Sequence, residues 1–298
     1  MTQLSHLRVL EPHANVLAFY DGRVMGHKFA DVPNWVDDGA LSLGIASYAI
    51  INGPEALVYD THVSVAHGHF IRETLAKRGV TRFTVVLSHW HLDHVAGTEA
   101  FANCSIIANR RTSNHLREHK KAIESGTHHG PPAISPLVQP DRMFEGLLNL
   151  QLGDLEVQLI EANIHSDDAT VMWLPSRSIL LAGDTLEDTV TYVCEPQDFD
   201  VHLRELDRLW NLNPAFILPN HGDPEIIAAG GYDKAFIRAN QQYIRTLKRC
   251  VVEPELRQKI LQELVAGPLE RGWINYFEPY EAVHRGNLAL VLKRLSHA

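Results

Sequence analysis

Cysteine is scarce in this chain: Cys104, Cys194 and Cys250 are the only three in 298 residues. They are widely spaced, odd in number and never in a CxxC pair, which excludes a disulfide framework and a cysteine-built zinc knuckle. Three free thiols fit a reducing compartment, and the protein is expected to be cytoplasmic. Apolar runs are short too. None approaches the roughly 20 residues that a membrane-spanning helix needs, so no membrane is expected among its partners. The opening residues, Met1 to Arg8, lack a basic start followed by an apolar segment, so no export signal is expected. Positive charge is in deficit, with 27 Lys and Arg against 36 Asp and Glu and a formal net charge of −9. No nucleic acid is expected either, because sequence-independent binding needs clustered cations against phosphate.

The remaining composition is an ordinary globular balance, 45% hydrophobic and 21% charged, with ample material for a core. Histidine is abundant, at 18 residues. Three histidines and an aspartate fall within Ser88-His89-Trp90-His91-Leu92-Asp93-His94, directly after the β-branched and apolar run Thr84–Leu87. That run reads as a buried strand, so the cluster occupies a loop at a strand's C-terminal end, where α/β sheets place their chemistry. His89 and His91 are two apart; in extended backbone they point the same way and can grip one metal. Asp93 and His94 follow once the chain has begun to turn, and can face a second metal nearby. Neutral imidazole and carboxylate are zinc-type ligands.

His89-Trp90-His91-Leu92-Asp93-His94 resembles the HxHxDH signature of the metallo-β-lactamase superfamily. Further segments follow in the order the resemblance requires. Ala162–Asp168 is similar to the segment that carries the third histidine for the first metal, here His165. Ala169–Asp184 reads as two apolar strands around Pro175-Ser176-Arg177-Ser178, and Asp184 falls on the carboxylate that bridges both metals in the hydrolase branches. Ala215–Gly222 is a short strand ending at the last ligand, His221. The resemblance implies two zinc ions per chain, at a site that also accepts manganese or iron. His89, His91 and His165 would hold one, Asp93, His94 and His221 the other, with Asp184 between them. It implies an α/β fold, the four-layer αβ/βα metallo-β-lactamase sandwich with extra C-terminal helices. Residues 1–250 would form the metallo-β-lactamase-like domain and 251–298 a helical extension packed on it.

Two departures qualify the resemblance. The residue before the third histidine is commonly Gly in the family and is Ile164 here, so that loop must take an ordinary backbone conformation. One subclass of zinc β-lactamases has Cys in place of Asp184 and, three residues later, a Lys that holds the drug's carboxylate. Here that later position is Glu187, an acid that would repel it. Secreted zinc β-lactamases also carry an export signal, so β-lactam hydrolysis is demoted twice.

Elsewhere, residues 15–20, 41–51 and 54–60 read as strands of an opening sheet. Asp60-Thr61-His62 sits where the family often has Asp-Thr-Gly. His62, His67 and His69, near the start of the following helix, read as solvated surface histidines, the alternative being a place behind the metal ligands or in a substrate wall. Residues 126–140 hold Gly, Pro and the pair His128-His129 with little periodicity; they either wall a substrate pocket or simply connect. The loop after Asp184 should border the pocket, and Tyr192 is its candidate for binding a substrate oxygen, a packed structural tyrosine being the alternative. Asp200 is expected to cap the next helix, and Gly267-Pro268 to break the C-terminal one. The tail with Trp273, Tyr276, Phe277 and Tyr280 resembles C-terminal helical additions that help form the substrate site in thioesterase-like members; the alternative is packing on the sandwich or against a second copy in a homodimer.

The expected function is a metal-dependent hydrolase that cleaves a small ester, lactone, thioester or amide with a hydroxide activated by two zinc ions. Asp93 doubles as ligand and proton shuttle, and the partner is a small-molecule substrate. The alternatives are a β-lactamase-type amide hydrolase, a persulfide dioxygenase-like enzyme using one iron, and a non-catalytic binding protein. The Arg- and Gly-rich segment of the dioxygenase branch has no counterpart after Asp184, and every ligand position is intact.

Overall fold

The computed structural model of the protein describes residues 4–295. Met1–Gln3, part of the stretch on which the expectation of no export signal rests, and the last three residues of the expected extension lie outside them.

Twelve strands form two sheets among the described residues. The first sheet runs in sequence order through β1 (Arg8–His13), β2 (Val16–Asp21), β3 (Ile45–Asn52), β4 (Glu55–Tyr59), β5 (Arg82–Val86), β6 (Ser105–Asn109) and β7 (Arg142–Phe144). Its first four strands are antiparallel neighbours, and β4 to β7 are parallel. The second sheet contains β8 (Leu147–Leu152), β9 (Leu155–Glu161), β10 (Thr170–Leu174), β11 (Ile179–Gly183) and β12 (Phe216–Pro219), in reverse order, with β11 and β12 parallel. The longer helices are α1 (Val65–Lys77), α3 (Arg110–Glu124), α4 (Phe199–Asn211), α6 (Ala235–Val252) and α9 (Tyr280–Leu295). The short ones are α2 (Leu92–Val95), α5 (Pro224–Ala228), α7 (Leu261–Leu264) and α8 (Ala266–Glu270).

The period-two alternation of strand side chains sorts these elements into four layers. In β2, Leu17 and Phe19 face α1 and α3 through Ile71, Leu75, Leu116 and Ile123. Val16, Ala18 and Tyr20 face the other way, onto Val157, Leu159, Met172 and Leu181 of the second sheet. The second sheet's outer face, with Val171, Leu180 and Ile217, packs on α4 and α6 through Leu206, Leu209, Phe236 and Leu247. Leu261, Val265, Tyr280 and Val291 of the C-terminal segment join that same outer cluster. This is the αβ/βα sandwich that the sequence predicts.

Tyrosines rivet the halves together. The hydroxyls of Tyr20, Tyr48 and Tyr59 donate to the carbonyls of Gly222 (2.9 Å), Pro219 (2.5 Å) and Thr170 (2.5 Å). All three rings are fully buried, and their acceptors flank the segments that carry His221 and His165.

The structure differs from the sequence expectations at several points. The strand expected over residues 41–51 begins only at Ile45, after an irregular helical turn over Val36–Leu41. Gly44 takes φ +76°, and a Cβ there would lie 1.9 Å from the Tyr20 hydroxyl, so no other residue fits. Asp200 is not a cap: it lies in the first turn of α4 and pairs with Lys248. Gly267 and Pro268 lie inside the first turn of α8, where a missing amide hydrogen forfeits no helical bond. His62 and His67 are not solvated. Both are fully buried and stacked 4.4 Å apart, with His67 bonded to Asp21 and Ser64, whereas His69 is exposed beside Glu99.

Replacing Tyr48 by Phe keeps the packing but removes the donor to a buried carbonyl. Tyr48→Phe is expected to destabilise the fold by about 1–3 kcal/mol. Urea denaturation should show a lower midpoint with an unchanged slope; an unchanged midpoint contradicts it.

Candidate metal centre

Four strand ends bring the site together. His89 and His91 leave the end of β5, and Asp93 and His94 belong to α2 immediately after it. His165 lies in the turn between β9 and β10, Asp184 directly follows β11, and His221 follows β12. Because β11 and β12 are parallel, the last two emerge side by side. The loop does not keep the ordinary backbone expected of it: Ile164 is not left-handed, but His165 itself takes φ +70°.

The donor atoms converge in two groups, each with its atoms within 4.8 Å of one another: His89, His91, His165 and Asp184, and then Asp93, His94 and His221. Asp184 stands between them. Its Oδ2 lies 3.6 Å from His89 Nε2, 3.7 Å from His165 Nε2, 3.2 Å from His94 Nε2 and 3.5 Å from His221 Nε2. His91 turns its Nδ1 inward, 2.9 Å from His89 Nε2 and 3.0 Å from His165 Nε2.

The outward nitrogens are held from behind. His94 Nδ1 donates to Asp60 Oδ2 (3.0 Å), His221 Nδ1 to the Gly44 carbonyl (2.7 Å) and His165 Nδ1 to the Tyr192 carbonyl (3.0 Å). His89 Nδ1 meets Ser88 Oγ at 2.9 Å, and His91 Nε2 lies 3.9 Å from Cys194 Sγ. Asp60 is fixed in turn by Ser88 N and Asn220 Nδ2. With their outer nitrogens bonded in this way, the inner nitrogens of His94, His165 and His221 face carboxylates or other imidazoles. Such outer partners set the tautomer and ring orientation of metal-ligating histidines.

Electrostatics divides the cluster. Burial, with His165 beside it, pulls His91 down to about 3, and burial also lowers His89 and His165. Burial opposes charging of His94 and His221 as well, yet Asp184 and its neighbouring acids outweigh it and raise both well above the usual range. Burial disfavours ionised Asp184, but His94 and His221 hold it well below the usual carboxylate range. Asp184 Oδ1 is buried and has no hydrogen-bond partner. Converging imidazole nitrogens, ionised carboxylates and an orphaned carboxylate oxygen in one buried place fit divalent cations.

The sequence model described as the metallo-beta-lactamase superfamily matches residues 43–221, more than half of the chain and inclusive of every residue above. The chain belongs to the metallo-beta-lactamase superfamily. With this donor set it is a metal-dependent hydrolase of that superfamily. It is 42% identical over 55 residues to "Lactamase-like protein notP" of an Aspergillus species, which covers 18% of this chain and 17% of that one. It is 23% identical over 219 residues to the "Beta-lactamase-like protein 2 homolog" of Drosophila melanogaster, covering 71% of this chain and 70% of the fly protein. The chain therefore spans under a fifth of the fungal relative and just over two thirds of the fly one. Among solved structures, the DIM-1 metallo-beta-lactamase superposes with a TM-score of 0.59 at 18% identity, over 81% of this chain and 98% of that one.

A cavity of about 460 Å³ lies over the superfamily's cluster. His128, His129 and Tyr192 are among the residues that line it, and Tyr192 is 42% exposed. Burial, then His129 and His119, lowers His128 to about 4. Trp35, Trp90, Cys194 and Leu290 line the cavity without having been marked by the sequence. Trp35 donates its indole N–H to the Pro132 carbonyl, joining two loops remote in sequence. Glu187 differs from expectation. Although it borders the cavity, it is buried against Tyr280 and the Tyr192 amide, and burial followed by Asp184 raises it to about 8.

Asp168, three residues past His165, is fully buried. Its Oδ1 accepts from Ser166, its Oδ2 has no partner, and burial raises its pKa to about 6 from 3.8. A raised folded value means that stability from this group is complete below about pH 4 and is lost as pH rises through about 6. Asp168→Asn keeps the acceptor without the charge. Melting curves at fixed metal loading should show the variant gaining on the parent between pH 4 and 7, by about 3 kcal/mol. A pH-independent difference contradicts this.

Proposed function

We propose that the protein hydrolyses a small, uncharged ester, lactone, thioester or amide with two divalent cations, zinc in the first instance. His89, His91 and His165 would hold one cation, Asp93, His94 and His221 the other, and Asp184 both. The observation that carries this reading is the Asp184 carboxylate, with one oxygen within 3.7 Å of imidazoles from both groups and the other without a partner. When bound, such a pair of cations lowers the pKa of water from 15.7 towards about 7 and polarises a carbonyl.

The chain's own residues supply the rest. Asp93 borders the cavity, with Oδ2 3.3 Å from His221 Nε2, and is placed to carry a proton to the leaving group. Tyr192 lines the cavity and would donate its hydroxyl to a substrate oxygen. His128 and His129 line it too, and a neutral His128 suits an uncharged ligand. Trp35, Trp90, Leu43 and Leu290 offer apolar area that excludes water and receives an acyl group. No lysine or arginine lines the cavity among the described residues, so a substrate carboxylate would find no cationic side chain there. The three free cysteines support a cytoplasmic setting.

Metal analysis tests the centre. Purified protein should hold about two zinc per chain, and Asp184→Ala should lose the second before the first, because His89, His91 and His165 remain a triad. Full retention of both by Asp184→Ala contradicts the shared carboxylate, and one iron per chain would favour an oxidative enzyme.

Matched acyl substrates test the pocket. A neutral straight-chain thioester or lactone should exceed its ω-carboxylate counterpart at least tenfold in kcat/KM, about 1.4 kcal/mol. Penicillins and carbapenems should stay below about 10⁴ M⁻¹s⁻¹, the lower edge of ordinary enzymatic efficiency. Equal rates on charged and neutral members remove the charge preference.

A further inference from the structure

Helix α9 lies beyond the residues matched by the superfamily, yet its Asn287 is fully buried against the loop that follows Asp184. Asn287 Oδ1 accepts from the Val193 amide (2.9 Å), and Nδ2 donates to the Thr191 carbonyl (3.0 Å) and meets the Tyr243 hydroxyl (3.1 Å). One side chain thus pins the backbone on both sides of Tyr192. The Tyr192 carbonyl, between those two points, is the acceptor for His165 Nδ1. Thr191 is also tied to the Asp184 carbonyl through its hydroxyl, at 2.7 Å.

His165 depends on this loop most directly, and His91 Nε2 also meets it, 3.9 Å from Cys194 Sγ. The outward nitrogens of His94 and His221 are held by Asp60 and Gly44, both inside the superfamily match, and that of His89 by its neighbour Ser88. The carbonyl acceptor for His165 sits on a loop whose backbone Asn287 of α9 bonds directly. We infer that Asn287 is a positioning residue for the metal centre: it holds the Tyr192 carbonyl where that carbonyl fixes the tautomer and orientation of His165, leaving Nε2 turned to the cation. The inference rests on the metal-centre reading proposed above. Outer partners of metal-ligating histidines typically contribute 10- to 100-fold in metal affinity.

Zinc affinity of the purified full-length protein, measured by competition with a chromophoric chelator, provides the test, alongside melting of the metal-free protein. Asn287→Ala should weaken the tighter zinc site about tenfold or more. Asn287→Asp is isosteric and keeps an acceptor for Val193 but, when ionised, loses the donor to Thr191; it should fall in between, and it decides the matter if the alanine variant does not fold. Glu281 is the control, since on the same helix it holds the Leu261 and Gln262 amides and not the loop. Glu281→Ala should lower the melting temperature while leaving zinc affinity as in the parent. Parental zinc affinity in the Asn287 variants overturns the inference, as does an equal loss in Glu281→Ala, which would make the helix merely structural. A parent protein that binds no zinc would instead overturn the centre itself.

Discussion

Asp184 presents one carboxylate oxygen to four imidazole nitrogens at 3.2 to 3.7 Å in a buried place, and its second oxygen has no partner at all. An ionised carboxylate taken from water is tolerable only when paired and hydrogen-bonded. Here the pairing comes from histidines on separate strand ends, so the charge constrains where those ends stop. It also constrains the histidines, because an imidazole offers a lone pair inward only when its other nitrogen has somewhere to donate. The Asp60 carboxylate, the Gly44 carbonyl and the Tyr192 carbonyl meet that requirement one by one.

The sandwich keeps this arrangement from relaxing. Tyr20, Tyr48 and Tyr59 cross the apolar layer between the sheets and bind backbone next to the loops of the centre. Buried hydroxyls need acceptors, so each fixes one sheet's position relative to the other in a way that apolar contact alone does not. Gly44 lets the backbone pass directly over Tyr20 while its carbonyl receives His221. The residues that hold the centre are thus also residues that hold the fold.

The loop after Asp184 is governed differently. Its acids are buried and turned to the C-terminal segment: Glu187 meets Tyr280, and Asp188 accepts from the Asn275 amide and the Tyr232 hydroxyl. Burial raises Asp188 to about 6, as it raises Glu187 to about 8. Such groups bind the extension to the rim of the cavity, where Leu290 of α9 contributes to the wall. The C-terminal helices and the face that carries the histidine cluster therefore pack together.

Local pattern was sufficient for much of this. The run Thr84–Leu87 followed by His89, His91, Asp93 and His94 places the donors at a strand end whatever lies around them, because strand and ligand spacing are both short-range properties. The Pro175–Ser178 turn was legible for the same reason. The edge strands β1 and β7 were not, since half-exposed segments such as Arg8–His13 carry little apolar alternation. The burial of His62 and His67 was invisible because it depends on Asp21, over 40 residues away in sequence. Tertiary structure likewise decided that Glu187 turns to Tyr280, that Trp35 meets Pro132 and that Asn287 supports Tyr192. Residue type and spacing determine which atoms are able to bind a metal. Which buried polar group receives which partner is decided only when distant segments are packed together, because each hydrogen bond there replaces water that the fold has removed.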